Sequence, residues 1–328
     1  MKTTQLLGLI IATIFATNCF ATTNGHSEIM QNSNCRAATL TNVPGLKLNN
    51  GLTMPQLGIG TYLLAEGDVS KNAVLTALRK GYRHIDTAHA YGNERSVGQA
   101  VKESGVPRDS IWITSKLWPN EYGEGKTLPA IDKMLKRLEV DYIDLVYLHQ
   151  PAGDYVGAWK ELEKAVAQGK VRSIGVSNFD YNDSLFDNFY AQMKIKPATM
   201  QIECHPYAQR KHWQEKLKAL NIVLECWFPL GGRESKGKIL RDSTINQIAL
   251  AHGKSAAQII LRWEIQEGFS VVPGTDNPDY LDENIHVFDF ALTDKEMQMI
   301  RSLNTESRFF NMTLEQVQDR FGKYEIND

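Results

Sequence analysis

Cysteine is scarce in this sequence. Cys19, Cys35, Cys204 and Cys226 are the four present, and no CxxC spacing occurs. So sparse a set is neither a disulfide framework nor a zinc site. Cys204 and Cys226 lie in apolar, strand-like runs and read as small core residues. An excess of one charge is also missing: 36 Lys and Arg stand against 38 Asp and Glu, for a net charge of −2. Nucleic-acid binders concentrate basic residues to neutralise phosphates. Here the basic residues are scattered, which sets that class of partner aside. No apolar run reaches the roughly 20 residues of a membrane-spanning helix. The nearest, Leu6 to Ala16, follows Lys2 and precedes Cys19-Phe20-Ala21. A basic start, a short apolar segment and small residues describe a secretory leader. Cleavage after Ala21 is expected, which exports the chain; without cleavage it stays cytoplasmic.

Several catalytic signatures are lacking too. No H-E-x-x-H occurs. Gly175-Val176-Ser177-Asn178 lacks the closing glycine of a nucleophile elbow. Cys204 and His205 are adjacent, so on a strand they face opposite ways and make a poor nucleophile–base or metal pair. Gly58-Ile59-Gly60-Thr61-Tyr62-Leu63 lacks the third glycine of the G-x-G-x-x-G turn. It follows Leu52-Thr53-Met54-Pro55, which reads as an N-terminal hairpin lid.

What is present is a long, regular alternation. Residues 22–44 are rich in Thr, Asn, Ser and Ala and read as a flexible segment. From residue 45 to 328 one domain with a C-terminal tail is expected. Short apolar runs recur at His84–Asp86, Ile111–Thr114, Leu145–Leu148, Ser173–Val176, Met200–Ile202, Ile222–Leu224, Ser270–Val272 and His286–Phe288. Between them lie helix-period segments. Examples are Lys71 to Lys80, Leu128 to Leu138, Ala158 to Gln168 and Ala256 to Gln266. Strands alternating with helices predict a parallel sheet. Eight such units predict an α/β fold of the (β/α)8 TIM-barrel type with an N-terminal β-hairpin.

In that architecture chemistry gathers at the C-terminal ends of the strands. Asp86 ends one run, with Tyr91 in the loop beyond it. The next run leads into Lys116, and the third ends at His149. Each residue alone has an ordinary structural reading: a helix cap, a packing tyrosine, a surface lysine, a hydrogen-bonded histidine. Together, at three consecutive strand ends, they point to one cleft. A charged side chain is rarely buried unpaired, and Asp86 and Lys116 can pair.

Three longer stretches carry a resemblance. Gly81 to Glu94 (G-Y-R-H-I-D-T-A-H-A-Y-G-N-E), Ser173 to Phe179 (S-I-G-V-S-N-F) and Gln201 to Tyr207 (Q-I-E-C-H-P-Y) resemble signatures of the aldo-keto reductase family. The likeness runs from Leu46 to about Leu303. It is strongest to the short-loop, diketogulonate-reductase-like members.

The resemblance implies reduction of a small-molecule carbonyl by hydride from NADPH or NADH, with no metal and as a monomer. Tyr91 becomes the proton donor, Lys116 its cation, Asp86 the holder of Lys116, and His149 the group orienting the carbonyl. It places Ser177, Asn178 and Gln201 on the nicotinamide carboxamide and Trp227 on the ring. Leu230 and Gly231 fall at the pyrophosphate, and Thr61, Thr275, Asp276, Glu283 and Asn284 at other parts of the cofactor. Tyr62 and Trp118 fall in the carbonyl pocket, and Arg308, Phe309, Phe310 and Met312 in a tail over its mouth.

One stretch departs from the NADPH-using pattern. Gly274 stands where a lysine is usual, Tyr280 where an arginine is usual, and Asp276 adds negative charge. Dual use or an NADH preference is therefore expected, unless Arg301 or Lys295 compensates. The alternative is a non-catalytic, cofactor-binding or regulatory protein on the same fold.

Overall fold

In the computed structural model, which describes residues 43–326, eight short parallel strands form one curled sheet. In chain order they are β3 (Ile59–Gly60), β4 (His84–Asp86), β5 (Trp112–Leu117), β6 (Ile143–Leu148), β7 (Val171–Ser177), β8 (Thr199–Glu203), β9 (Val223–Trp227) and β10 (Ser270–Val271). Each pairs with its neighbour in sequence. The sheet curls until its ends meet. Gly58 N donates to Val271 O at 2.9 Å, and Gly60 N donates to Pro273 O at 3.0 Å. Glycine is required at this seam: a Cβ on Gly60 would lie 2.6 Å from Val272 O.

Two elements precede the sheet. Strands β1 (Gly45–Lys47) and β2 (Thr53–Pro55) pair antiparallel, with Leu46 opposite Met54. This is the hairpin expected from the sequence. It covers the N-terminal end of the strands, where Leu48 and Met54 pack with Trp112, Leu145 and Ala198. The opposite, C-terminal end is left open for the site. The leader at 1–21 and the segment at 22–42 lie outside the described residues.

Helices alternate with the strands and cover the sheet. They include α1 (Asp68–Lys80), α2 (Glu94–Glu103), α3 (Thr127–Leu138) and α4 (Tyr155–Ala167). Then come α5 (Asp183–Gln192), α6 (Lys211–Ala219), α7 (Ser243–His252) and α8 (Ala256–Gln266), followed by α9 (Pro278–Ile285), α10 (Asp294–Arg301) and α11 (Leu314–Lys323). Helix α8 begins at a Ser255–Gln258 capping box, which satisfies two otherwise unpaired donors. The apolar stripe of α3, Ile131, Met134 and Leu138, joins the core between helices and sheet. Every residue of β5, β6 and β8 is buried. Burial on both faces is why these strands read as continuous apolar runs. Among the described residues no helix is long and apolar enough to cross a membrane.

Two sequence expectations exchange places. Ile59–Gly60, named in the sequence only within a rejected glycine-rich turn and not counted among the eight runs, is a strand of the parallel sheet. It is short and half glycine, so it carries little strand propensity. His286–Phe288, read as the eighth strand, is instead a turn after α9. Its apolar character serves packing: Val287 is fully buried in the main core and Phe288 packs against it.

Candidate active site

Side chains alternate faces along a strand, and that period assembles the interior. His84 and Asp86 on β4, Thr114 and Lys116 on β5, Gln201 on β8 and Glu225 on β9 meet inside the curled sheet. His84 Nε2 lies 3.0 Å from Thr114 Oγ1. Lys116 Nζ donates to Asp86 Oδ1 at 2.6 Å and to Thr87 O at 2.9 Å. Gln201 Nε2 donates to Asp86 Oδ2 at 2.8 Å and to Glu225 Oε1 at 2.7 Å.

Above this layer Tyr91 and His149 complete the group. Lys116 Nζ sits 4.8 Å from the centre of the Tyr91 ring. The Tyr91 and His149 rings meet edge to face at 5.8 Å, and Trp118 meets His149 at 5.2 Å. Residues from three consecutive strand ends and Tyr91 from the loop after the first thus converge as the sequence implied.

Burial sets their charge states. Burial pushes the Tyr91 phenol up to about 12, although Lys116 pulls against it. The phenol is therefore protonated at neutral pH. Burial also lowers the His149 imidazole well below its ordinary range, and Lys116 adds to the effect. His149 is thus neutral. For Lys116, burial disfavours the ammonium, but the Asp86 carboxylate and Tyr91 outweigh it and hold the group above its usual range. Burial raises the Asp86 carboxyl while Lys116 opposes that rise. With a 2.6 Å contact between them, the pair is ionised.

Asp86, Tyr91 and His149 line a cavity of about 950 Å³ at the C-terminal end of the strands, and Lys116 is fully buried. Tyr62, Trp118, Phe310, Phe321 and Tyr324 give it an aromatic side. Part of that side is held by main chain: Trp118 Nε1 donates to Tyr324 O at 2.9 Å, and Asn120 Nδ2 to Ile326 O at 3.0 Å. Buried Glu203 accepts from Phe309 N at 2.5 Å and from Arg308 Nε at 3.1 Å, which fixes the tail.

Ser177, Asn178, Gln201, Trp227 and Leu230 line the other side, along with Thr275 and Asp276. Asn178 adopts φ 66, a left-handed conformation that asparagine tolerates. There its Nδ2 reaches His149 O at 3.0 Å, and its Oδ1 accepts from Trp227 Nε1 at 2.9 Å.

Four of the residues expected at the cofactor, Thr61, Gly231, Glu283 and Asn284, do not line the cavity, nor does the fully buried Lys116. Thr61 is fully buried and donates to Asp86 O at 3.1 Å. Gly231 sits at φ 83 behind Leu230. Asn284 is buried in α9 and Glu283 is partly buried beside it. Arg301 is engaged elsewhere, with its Nε 2.6 Å from Glu267 Oε1.

The sequence reading passed over Glu225, Tyr147, Arg233, Phe321 and Tyr324. An acidic residue inside the apolar run Val223-Leu224-Glu225-Cys226-Trp227, two positions before a ring that faces the cavity, was a usable signal for the first. The tail aromatics had no local signal.

The buried histidine at the bottom of the network gives a stability prediction. Burial pushes His84 down to about 4, whereas an unfolded histidine titrates near 6.5. Between those values the unfolded chain binds a proton that the folded chain refuses, so stability falls as pH falls. The loss should be about 1.4 kcal/mol per pH unit from this group. Urea unfolding across that range should show a flatter dependence in His84→Asn. An unchanged slope would rule out His84 as its source.

Comparison with known proteins agrees with this geometry. Residues 56–305 match the Aldo/keto reductase family, and the chain belongs to it. It is 43% identical over 262 residues to a 9,11-endoperoxide prostaglandin H2 reductase of Trypanosoma cruzi, covering 80% of this chain and 92% of that protein. It is 40% identical over 264 residues to a glyoxal reductase of Bacillus subtilis, covering 80% and 94%. Among solved structures, a Bombyx mori aldo-keto reductase in complex with NADP superposes with a TM-score of 0.77 at 32% identity, covering 82% of this chain and 95% of that one. The family and these relatives make this chain an oxidoreductase of the aldo-keto reductase family.

Proposed function

We propose that this chain reduces aldehydes and ketones to alcohols on a (β/α)8 barrel, with Tyr91 as proton donor. The observation that carries the reading is that Asp86, Tyr91 and His149 line the same cavity as Asn178, Gln201 and Trp227, with the buried Lys116 bonded to Asp86 and set against the Tyr91 ring. That second set suits a nicotinamide dinucleotide. A flat indole borders the space, amide side chains stand beside it, and Arg233 near Leu230 offers a cation to the phosphates. Ser177, Asn178 and Gln201 would hold the carboxamide, Trp227 the ring, and Thr275 and Asp276 the ribose end. The bound cofactor supplies the hydride.

The chain supplies the rest. His149, neutral and wedged between Tyr91 and Trp118, orients the carbonyl oxygen by a hydrogen bond. Tyr91, protonated at working pH, gives that oxygen its proton. Lys116 stabilises the phenolate left behind, and Asp86 fixes Lys116 in place. The aromatic side favours carbonyl compounds with apolar portions.

NADH should serve at least as well as NADPH. Asp276 is exposed on the cavity rim, where a 2′-phosphate would meet its charge, while a carboxylate can accept from a ribose diol. The test is oxidation of NADH and NADPH by residues 22–328 against simple aldehydes and diketones. Turnover with both is expected. Asp276→Ser should shift the ratio of kcat/KM toward NADPH by about tenfold, the value of one charge-assisted contact. A chain that binds either dinucleotide but turns over neither would favour a regulatory role instead.

A further inference from the structure

Glu225 is a fully buried carboxylate that the proposed chemistry leaves without a task. Three donors face it. Gln201 Nε2 reaches Oε1 at 2.7 Å, the Tyr147 hydroxyl reaches Oε1 at 3.0 Å, and the Ser270 hydroxyl reaches Oε2 at 2.7 Å. His84 Nε2 lies 3.9 Å from Oε2. Room for Tyr147 to cross the interior comes from Gly175, where a Cβ would lie 2.6 Å from the tyrosine ring. The arrangement is thus built across β6 to β10, with His84 of β4 beside it.

Its consequence falls on Gln201. Burial raises the Glu225 carboxyl, but the three donors and the Lys116 charge oppose that rise; a carboxylate so supplied only accepts hydrogen bonds, and an amide has one donating and one accepting end. Gln201 faces two carboxylates at once, Asp86 and Glu225, and gives its NH₂ group to both. Its carbonyl oxygen, Oε1, is then the end left for the cavity that Gln201 lines. Asp86 alone would hold the amide less firmly, because Asp86 also serves Lys116.

We infer that Glu225 is a positioning residue that locks the Gln201 amide so that the cavity receives an acceptor, selecting a ligand that presents an N–H donor there. This rests on the reductase reading, in which the carboxamide NH₂ of the nicotinamide is that donor.

The experiment compares binding of NADH with that of the reduced 3-acetylpyridine analogue, which has a methyl group where the carboxamide has NH₂. Quenching of tryptophan emission reports both affinities without turnover. The unaltered chain should prefer NADH. Glu225→Leu should lose about tenfold of that preference, the worth of one well-formed hydrogen bond. The combined Glu225→Leu, Tyr147→Phe and Ser270→Ala variant removes the orphaned hydroxyls as well, so it keeps the fold if the single variant does not. It should show the same loss of preference. A merely structural role would weaken both ligands equally. A preference within about twofold of the unaltered chain, in a variant that binds NADH, overturns the inference. Binding without discrimination by the unaltered chain overturns it too and leaves the reductase reading standing. Binding of neither dinucleotide by the unaltered chain overturns both.

Discussion

Tyr91→Phe should bring carbonyl reduction down by at least 10²–10⁴-fold, roughly the contribution of a positioned general acid, while dinucleotide affinity changes little. The expectation follows from where the hydroxyl lies. Tyr91 packs edge to face on His149 and over Lys116, and burial keeps its phenol protonated. The ring can stay in place as phenylalanine, so packing survives and only the proton is lost. Asn178, Gln201 and Trp227 are held independently of that hydroxyl: Trp227 donates to Asn178, Asn178 to the His149 carbonyl, and Gln201 to Asp86 and Glu225. Steady-state turnover and fluorescence titration of the same preparation separate the two effects. A variant that loses cofactor binding in step with activity would remove Tyr91 from the role of donor.

The second large effect belongs to Lys116. Its ammonium is fully buried and bonded to Asp86 and to the Thr87 carbonyl. Lys116→Met leaves Asp86 and Glu225 sharing one Gln201 amide with no lysine beside them. Breaking a buried ion pair by removing one partner costs about 3–5 kcal/mol, and activity should vanish with it. The loss should depend on pH. Without Lys116 the Asp86 carboxyl rises further, so the folded variant holds a proton that the unfolded chain releases above its ordinary value. By linkage the variant loses stability as pH rises. Urea unfolding should therefore show a smaller deficit at about pH 5 than at about pH 8. An equal deficit at both would mean that the loss comes from packing alone.

Much of this site was legible before any coordinates. Asp86, Lys116 and His149 stand at the ends of short apolar runs, and period-2 alternation gives them a common face. The parts assigned to Trp227 and Gln201 came from the family resemblance instead. What escaped was of two kinds. Ile59–Gly60 is too short to show a period, whereas His286–Phe288 is apolar for the sake of a buried turn. Local pattern records burial and cannot say which element does the burying. The rest depends on pairs far apart in the chain. Trp118 meets Tyr324 206 positions away, and Glu203 meets Phe309 106 positions away.

The sequence alone therefore determined which residues are buried, which face of each strand they occupy and which strand ends carry reactive groups, because those properties follow from spacing along one segment. The tertiary structure decided which groups touch: that the sheet closes at Gly60, that the tail walls the cavity, and that Glu225 turns the Gln201 amide. Those outcomes depend on curling eight separate strands around one interior, where contact is set by the geometry of closure and leaves no period in any single stretch of chain.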